Sequence, residues 1–351
     1  MANNFLLYGA NGYTGALIAR MCSERGLKPI LAGRDKSKIE TMAKEYGFDW
    51  RAFALDDPKA VDVGLKDCAV VLHCAGPFTR TAKPMVDACL RCGVHYLDIT
   101  GEITVFESLS ARDEEAKKVG VMLLPGVGFD VVPSDCLAAH LKRRLPEATN
   151  LTLAFHGTGR LSHGTQTTMV EKIDQGGAVR RDGKIKGVPA AWKTREFDFG
   201  RGPVTATTIP WGDVSTAYHT TGIPNIEVYS AIPSSARRML VASRYIGWLL
   251  ATGLMQNFLK SRIKAGPAGP SDEERARGKT FLYGEASDDK GNKVAARQRG
   301  PEGYTLTALT SLAITQKVLD GDFKTGFQTP AKAYGPDLIL EIEGVEREDL
   351  N

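Results

Sequence analysis

Seven residues near the start of the chain, Gly9, Ala10, Asn11, Gly12, Tyr13, Thr14 and Gly15, lie between an apolar run from Phe5 to Tyr8 and an amphipathic stretch that opens at Ala16. A strand, a glycine-rich turn and a helix, in that order, form the unit that holds the diphosphate of a dinucleotide. Gly9 permits a tight turn out of the strand, Gly12 exposes backbone with no Cβ to a diphosphate, and Gly15 lets the helix pack close to the sheet. The helix start then offers N–H groups and a partial positive charge to the phosphates. The spacing is G-x-x-G-x-x-G rather than the commoner G-x-G-x-x-G, so its meaning comes from its place between strand and helix.

The next apolar run, Pro29 to Ala32, ends in Gly33 and Arg34. A cofactor with a free ribose 2′-OH usually meets a carboxylate at this point. A small residue followed by a guanidinium suits a 2′-phosphate instead. NADP is therefore expected in preference to NAD. Lys36 and Lys38 add positive charge, and Asp35 is placed to cap the helix that follows. The competing reading makes Arg34 and Lys36 solvated charges before a helix.

Residues 3–124 alternate strand and helix. Strands are predicted at 5–8, 29–32, 50–54, 69–74, 95–98 and 121–124, with helices at 13–25, 36–46, 59–65, 84–92 and 105–118. Runs such as Ala69 to Cys74 are apolar on both faces, as a covered parallel sheet requires. The pattern predicts an α/β fold with a doubly wound parallel sheet of the Rossmann type. The fourth strand leads into Ala75, Gly76, Pro77 and Phe78, small residues at the sheet edge where a cofactor ribose or nicotinamide can pass close to backbone. A further turn, Pro125 to Asp130, marks the exit from this domain, with Ser134 as the cap of the next helix.

From Asn150 the connections lengthen, and strands at 151–155, 204–209 and 226–232 predict a second, α+β domain built on a mixed sheet. The expected division is 1–133 for nucleotide binding, 134–300 for substrate or dimer contacts, and 301–351 as a helix and tail returning to the first domain. The stretch 272–299 is polar and reads as mobile in part. Within an apolar segment at 239–259, residues 245–259 carry no charge and are flanked by Arg237, Arg238, Arg244, Lys260, Arg262 and Lys264. Fifteen residues fall short of the ~20 that span a bilayer. Three readings stay open: a helix buried in a homodimer or between domains, peripheral contact with a membrane, or a lid over an apolar substrate.

The chain has 351 residues, enough for two domains, with 42% apolar and 25% charged residues as in soluble globular proteins. A net charge of +4 is too small to imply a nucleic-acid partner, and with no basic block or nucleic-acid motif none is expected. The start carries no signal-peptide pattern, so a cytoplasmic location is expected. The six cysteines are scattered, and the lone Cys89-x-x-Cys92 has no second pair, so no metal site is expected.

The stretches Tyr8–Gly15, Leu31–Arg34, Cys74–Phe78, Tyr96–Glu102 and Pro125–Asp135, with Gly326–Pro330 near the end, resemble the saccharopine dehydrogenase-like oxidoreductases, including trans-acting enoyl reductases. The resemblance is close over 1–145, moderate over 300–340 and weak between. It implies an NAD(P)-binding first domain, a second domain with an inserted sheet, and cofactor loops at Gly9–Gly15, Gly33–Arg34 and Ala75–Phe78. It does not fix the reaction, since the family's substrates are diverse.

A hydride donor needs from the protein a dry, positioned pocket and a proton source. None of the ten tyrosines has lysine four residues later, which argues against a short-chain dehydrogenase. Glu102, Asp130 and His163 are the acid–base candidates. Each has a plain structural reading as well, the first two as helix caps and the third as a solvent-loop residue. The functional expectation is an NADP(H)-dependent oxidoreductase acting on an enoyl, carbonyl or imine substrate, with a lean towards a lipid-like one. The rival is a nucleotide-binding protein without turnover, acting at a lipid surface or in a protein complex.

Overall fold

In a computed structural model that describes residues 4–157 and 159–350, the chain divides into two units. The first runs to Val132 and takes in Tyr304–Ala333; the second holds Pro133–Gly303 and the chain from Tyr334 onward.

The first unit contains strands β1 (Phe5–Tyr8), β2 (Ile30–Gly33), β3 (Trp50–Ala52), β4 (Val70–His73), β5 (His95–Asp98) and β6 (Met122–Leu124). Together with Gly326–Phe327 they form a seven-stranded sheet in the order Gly326–Phe327, β6, β5, β4, β1, β2, β3. Every pairing is parallel. All residues of β1 and β4 are buried, which is why these runs are apolar without alternation. The chain steps outward from β1 to β3 on one side and from β4 to β6 on the other. The switch point therefore lies between β1 and β4, and ligands of such sheets bind beyond the carboxyl ends of the strands there.

Helix boundaries differ from expectation in three places. The single helix expected at 105–118 is two, Ile103–Ser110 and Asp113–Lys118; the Arg112 guanidinium at their junction is held by Asp87 and Glu115. The helix expected from Pro84 already begins at Phe78. Thr81 ties its first turns to the preceding loop, its hydroxyl donating to Ala75 O at 2.6 Å and lying 3.2 Å from Pro77 O. Ser134 is not a cap, because the helix Val132–Arg144 starts before it.

The second unit contains β7 (Asn150–Gly157), β8 (Gly177–Arg181), β9 (Lys184–Val188), β10 (Thr194–Asp198), β11 (Pro203–Thr208), β12 (Asn225–Ser230), β13 (Lys279–Ser287) and β14 (Lys293–Pro301). They form a mixed sheet in the order β10, β11, β12, β7, β13, β14 and a last strand, Glu346–Leu350; β8 adds to β12, and β9 to β8. Among the described residues of this sheet, β12 and β7 pair in parallel and the other neighbours are antiparallel.

Three expectations about this unit are corrected. The stretch 272–299, read as polar and mobile in part, forms a short helix, Asp272–Arg277, and most of the β13–β14 hairpin inside the sheet. Its polar look has a physical cause: Leu282, Gly284, Ala286, Ala296 and Gln298 are buried, while Glu285 on the opposite face is satisfied by Arg195 and Lys293. Of the stretch 301–351, Tyr304–Ala333 belongs to the first unit and the chain from Tyr334 to the second, where Glu346–Leu350 pairs with the edge of β14 and Asp349 accepts from His140 at 2.6 Å. The apolar segment at 239–259 is not one helix. Ser234–Leu250 and Gly253–Lys264 are separated at Thr252, whose extended backbone starts the second helix and whose hydroxyl donates back to Leu249 O at 2.7 Å.

Candidate functional site

The glycine turn after β1 is built from backbone contacts. Gly9 N–H donates to Ala32 O at 2.8 Å and Gly12 N–H to Gly9 O at 3.0 Å, so the turn is fastened to β2 and closed on itself. Gly9 has φ +82°, and a Cβ there would lie 2.8 Å from Ala75 N. A Cβ on Gly15 would lie 2.3 Å from Gly9 O and 2.8 Å from Ala10 Cα. These two glycines are thus required by chain approach alone. Gly12 differs: it is exposed, has φ −80°, and a Cβ there would meet only Gly9 O, at 3.3 Å. It starts the helix Tyr13–Glu24 with no side-chain cap, and no carboxylate lies in the first turn. A helix start left without its own capping oxygen, fronted by a residue with no Cβ, is a cradle for a diphosphate. Tyr13 closes one flank, its ring edge-on to Tyr304 at 5.0 Å.

The tip of β2 continues this surface. A Cβ on Gly33 would lie 3.1 Å from Asn11 Oδ1 and 3.0 Å from Ile39 Cδ1, so the glycine turn and the β2 tip meet here. Arg34 is exposed, and among the described residues no carboxylate pairs with it. Asp35 accepts from Lys38 N–H at 3.2 Å and caps the next helix; that hydrogen bond holds its carboxyl below the usual range.

A network beneath the sheet edge fixes the remaining loops. Asp98 ends β5 and is fully buried. Its Oδ1 accepts from Thr100 N–H and Gly126 N–H, each at 2.9 Å, and its Oδ2 from Tyr96 OH at 2.7 Å. Burial outweighs these donors and pushes the carboxyl up to about 6. Thr100 Oγ1 in turn accepts from Glu102 N–H at 3.1 Å, and Glu102 Oε1 accepts from Phe78 N–H at 2.9 Å. Glu102 therefore links the loop after β5 to Ala75–Phe78, which follows β4 and contains a cis Gly76–Pro77 bond. On the other side, Thr307 Oγ1 accepts from Phe129 N–H at 3.0 Å and Thr310 donates to Val127 O at 2.8 Å, so the helix Gly303–Leu319 pins the loop after β6.

Asp130 lies in that pinned loop, half-buried, with Gly101 pressed against it; a Cβ on Gly101 would lie 2.8 Å from its Oδ2. Removal from water pushes its carboxyl up to about 7. His163 stands elsewhere in the chain, in the second unit. It begins the helix His163–Glu171, its Nε2 lies 3.0 Å from Gly266 O, and its N–H donates to Ala268 O. Glu102 and Asp130 thus share the loops of one sheet edge, and His163 belongs to a loop contact of the other sheet's unit.

Residues 5–124 match the saccharopine dehydrogenase NADP binding domain family. Over 183 residues the chain is 30% identical to a trans-acting enoyl reductase of Mycobacterium ulcerans (strain Agy99), covering 48% of this chain and 44% of that protein. Over 152 residues it is 34% identical to a trans-acting enoyl reductase of Mycobacterium leprae (strain TN), covering 41% of this chain and 36% of that one. The match spans less than half the length of these curated relatives. Apo saccharopine dehydrogenase (L-Glu forming) from Saccharomyces cerevisiae shares the fold, with a TM-score of 0.68 at 13% identity over 99% of this chain and 100% of that one. Residues 5–124 thus carry the sequence pattern of the saccharopine dehydrogenase NADP binding domain family, in a chain whose fold is similar to that of the yeast enzyme.

Proposed function

We propose that the chain is an NADP(H)-dependent oxidoreductase that reduces an enoyl, carbonyl or imine group, with a lean towards a lipid-like substrate, and that Asp130 handles the proton. The observation that carries this reading is an ionisable group held near neutrality in a loop at the same sheet edge as an uncapped glycine cradle. Bound reduced nicotinamide supplies the hydride. The chain's own residues bind and orient. Gly9 to Gly15 take the diphosphate, Gly33 and Arg34 take the 2′-phosphate, and Ala75 to Phe78 offer a close-approaching backbone held by Thr81 and Glu102. Glu102 is a positioning residue in this scheme, since its carboxylate is engaged by Phe78 N–H.

Arg34→Ala is expected to weaken NADPH by about 10- to 100-fold, from the roughly 1.5–3 kcal/mol of a charge-assisted pair, and to leave NADH nearly unchanged. Titration of both nucleotides checks this; equal loss for the two means that Arg34 does not meet the 2′-phosphate.

Asp130 must be protonated to donate, so reduction is expected to fall as pH rises through about 7. Asp130→Asn should keep NADPH affinity, lower kcat by about 10²- to 10⁴-fold and lose that pH step. The assay is NADPH consumption with enoyl, keto and imine substrates carrying apolar chains. Wild-type kcat in Asp130→Asn removes the proton role from this residue. Tight NADPH binding with no consumption on any substrate favours the rival, a nucleotide-binding protein without turnover.

A further inference from the structure

The helices Ser234–Leu250 and Gly253–Lys264 turn an apolar face away from their own unit. Tyr245 is 76% exposed, Trp248 73%, Leu254 89% and Phe258 58%. Their inner side is occupied: Ser243 and Gly247 are buried, a Cβ on Gly247 would lie 3.3 Å from Asp174 Cα, and Lys260 Nζ reaches Glu171 at 2.7 Å. Between residues 234 and 264 there are six arginines and lysines and no aspartate or glutamate. Arg244 is used internally, donating to Ala190 O and Ala191 O at 2.7 Å each. Among the described residues, Arg237, Arg238, Arg262 and Lys264 pair with no carboxylate.

Exposed tryptophan, tyrosine and leucine between cations form the pattern of a segment that lies in a lipid interface, the rings at headgroup depth and the cations against anionic headgroups. No described helix is long and apolar enough to cross a membrane. A second copy of the chain is a poorer occupant, because a two-fold contact on this face would bring the same four cations together without a counter-charge. We infer that these two helices dock the protein on an anionic lipid surface, inserting Trp248 and Leu254 while Arg237, Arg238, Arg262 and Lys264 meet the headgroups. The inference is independent of turnover at the nucleotide site.

The test is flotation of the full chain with vesicles of phosphatidylcholine alone or of phosphatidylcholine with phosphatidylserine. Wild type should float with the anionic vesicles at least tenfold more than with the neutral ones, and high salt should release part of it. Trp248→Asp with Leu254→Asp should lose binding by at least tenfold while keeping the wild-type Tm and NADPH affinity, since both side chains are exposed. Replacing Arg237, Arg238, Arg262 and Lys264 by serine should abolish the preference for anionic vesicles. The inference is overturned by no flotation with either vesicle, by equal flotation with both, or by unaltered binding of the double variant. Concentration-dependent dimerisation that the double variant abolishes, without vesicle binding, would assign the face to a second copy instead.

Discussion

Gly12→Ala is expected to leave the protein folded and to weaken NADPH binding by about 100-fold. The backbone at Gly12, φ −80° and ψ 166°, is open to alanine, and the new Cβ would press only on Gly9 O, at 3.3 Å. The helix-start position costs at most about 1 kcal/mol on substitution. The diphosphate, however, must come down onto the first N–H groups of the helix just where that methyl would stand. One or two charge-assisted amide–phosphate bonds, roughly 1.5–3 kcal/mol each, are lost, and about 3 kcal/mol corresponds to about 100-fold. Gly15→Ala is the contrasting variant. Its Cβ would lie 2.3 Å from Gly9 O, so the helix itself must shift and the melting temperature should fall with the affinity. Measuring Kd and Tm for both variants separates ligand approach from chain packing. Wild-type affinity in Gly12→Ala would mean that no diphosphate comes near this turn.

His73→Phe should stabilise the protein and remove part of its sensitivity to acid. His73 ends β4 with no exposed surface, and among the described residues neither ring nitrogen has a hydrogen-bond partner. Its neighbours are rings: Tyr8 and Phe78 at 5.4 Å each and Tyr96 at 6.2 Å. Burial pulls its pKa from 6.5 to about 3. The sign follows from the depressed value. Below pH 6.5 the unfolded chain takes up a proton that the folded one refuses until about 3, so stability is intact above 6.5 and drains away as pH falls towards 3. The full loss is on the order of 4–5 kcal/mol. Phenylalanine keeps a ring in the aromatic cage and removes two uncompensated polar atoms, a gain of roughly 1–3 kcal/mol at neutral pH. Asp98 and Asp130, whose carboxyls are raised, respond to acid in the opposite sense, so the informative quantity is the difference between variant and wild type. Urea unfolding at pH 7 and pH 4.5 should show that difference growing in acid. A variant that is less stable at pH 7 and keeps the wild-type acid slope would show that the ring nitrogens have a polar role.

Most of the first sheet was readable because strands such as β1, β2 and β4 are short apolar runs buried on both faces, the pattern of a covered parallel sheet, whereas the two-residue strand Gly326–Phe327 is too short to show one. The placement of the glycine turn after β1 and of Gly33–Arg34 at the tip of β2 was readable for the same local reason, since each is set by a few residues of sequence. The Asp98 network was not. Asp98 contacts Gly126 and, through Thr100 and Glu102, Phe78, and the loop after β6 is held by Thr307 and Thr310. Nothing local marks those partners, although a carboxylate closing an apolar strand was a signal that Asp98 needed donors. His73 was hidden inside a run that reads as plain strand. The β13–β14 hairpin was concealed by ion pairs on one face, which made a two-residue alternation look merely polar. In residues 245–259, the lack of charge left burial in a homodimer or between domains, membrane contact and a lid all open. Within one chain the segment is two helices broken at Thr252, with Tyr245, Trp248, Leu254 and Phe258 exposed.

Calorimetric titration of the full chain with NADPH and with NADH tests the central claim most directly. One NADPH should bind per chain, at least tenfold tighter than NADH, with the heat largely lost in Gly12→Ala. Absence of binding by either nucleotide would contradict the account, since the uncapped helix start after β1 would then be a packing feature and nothing more.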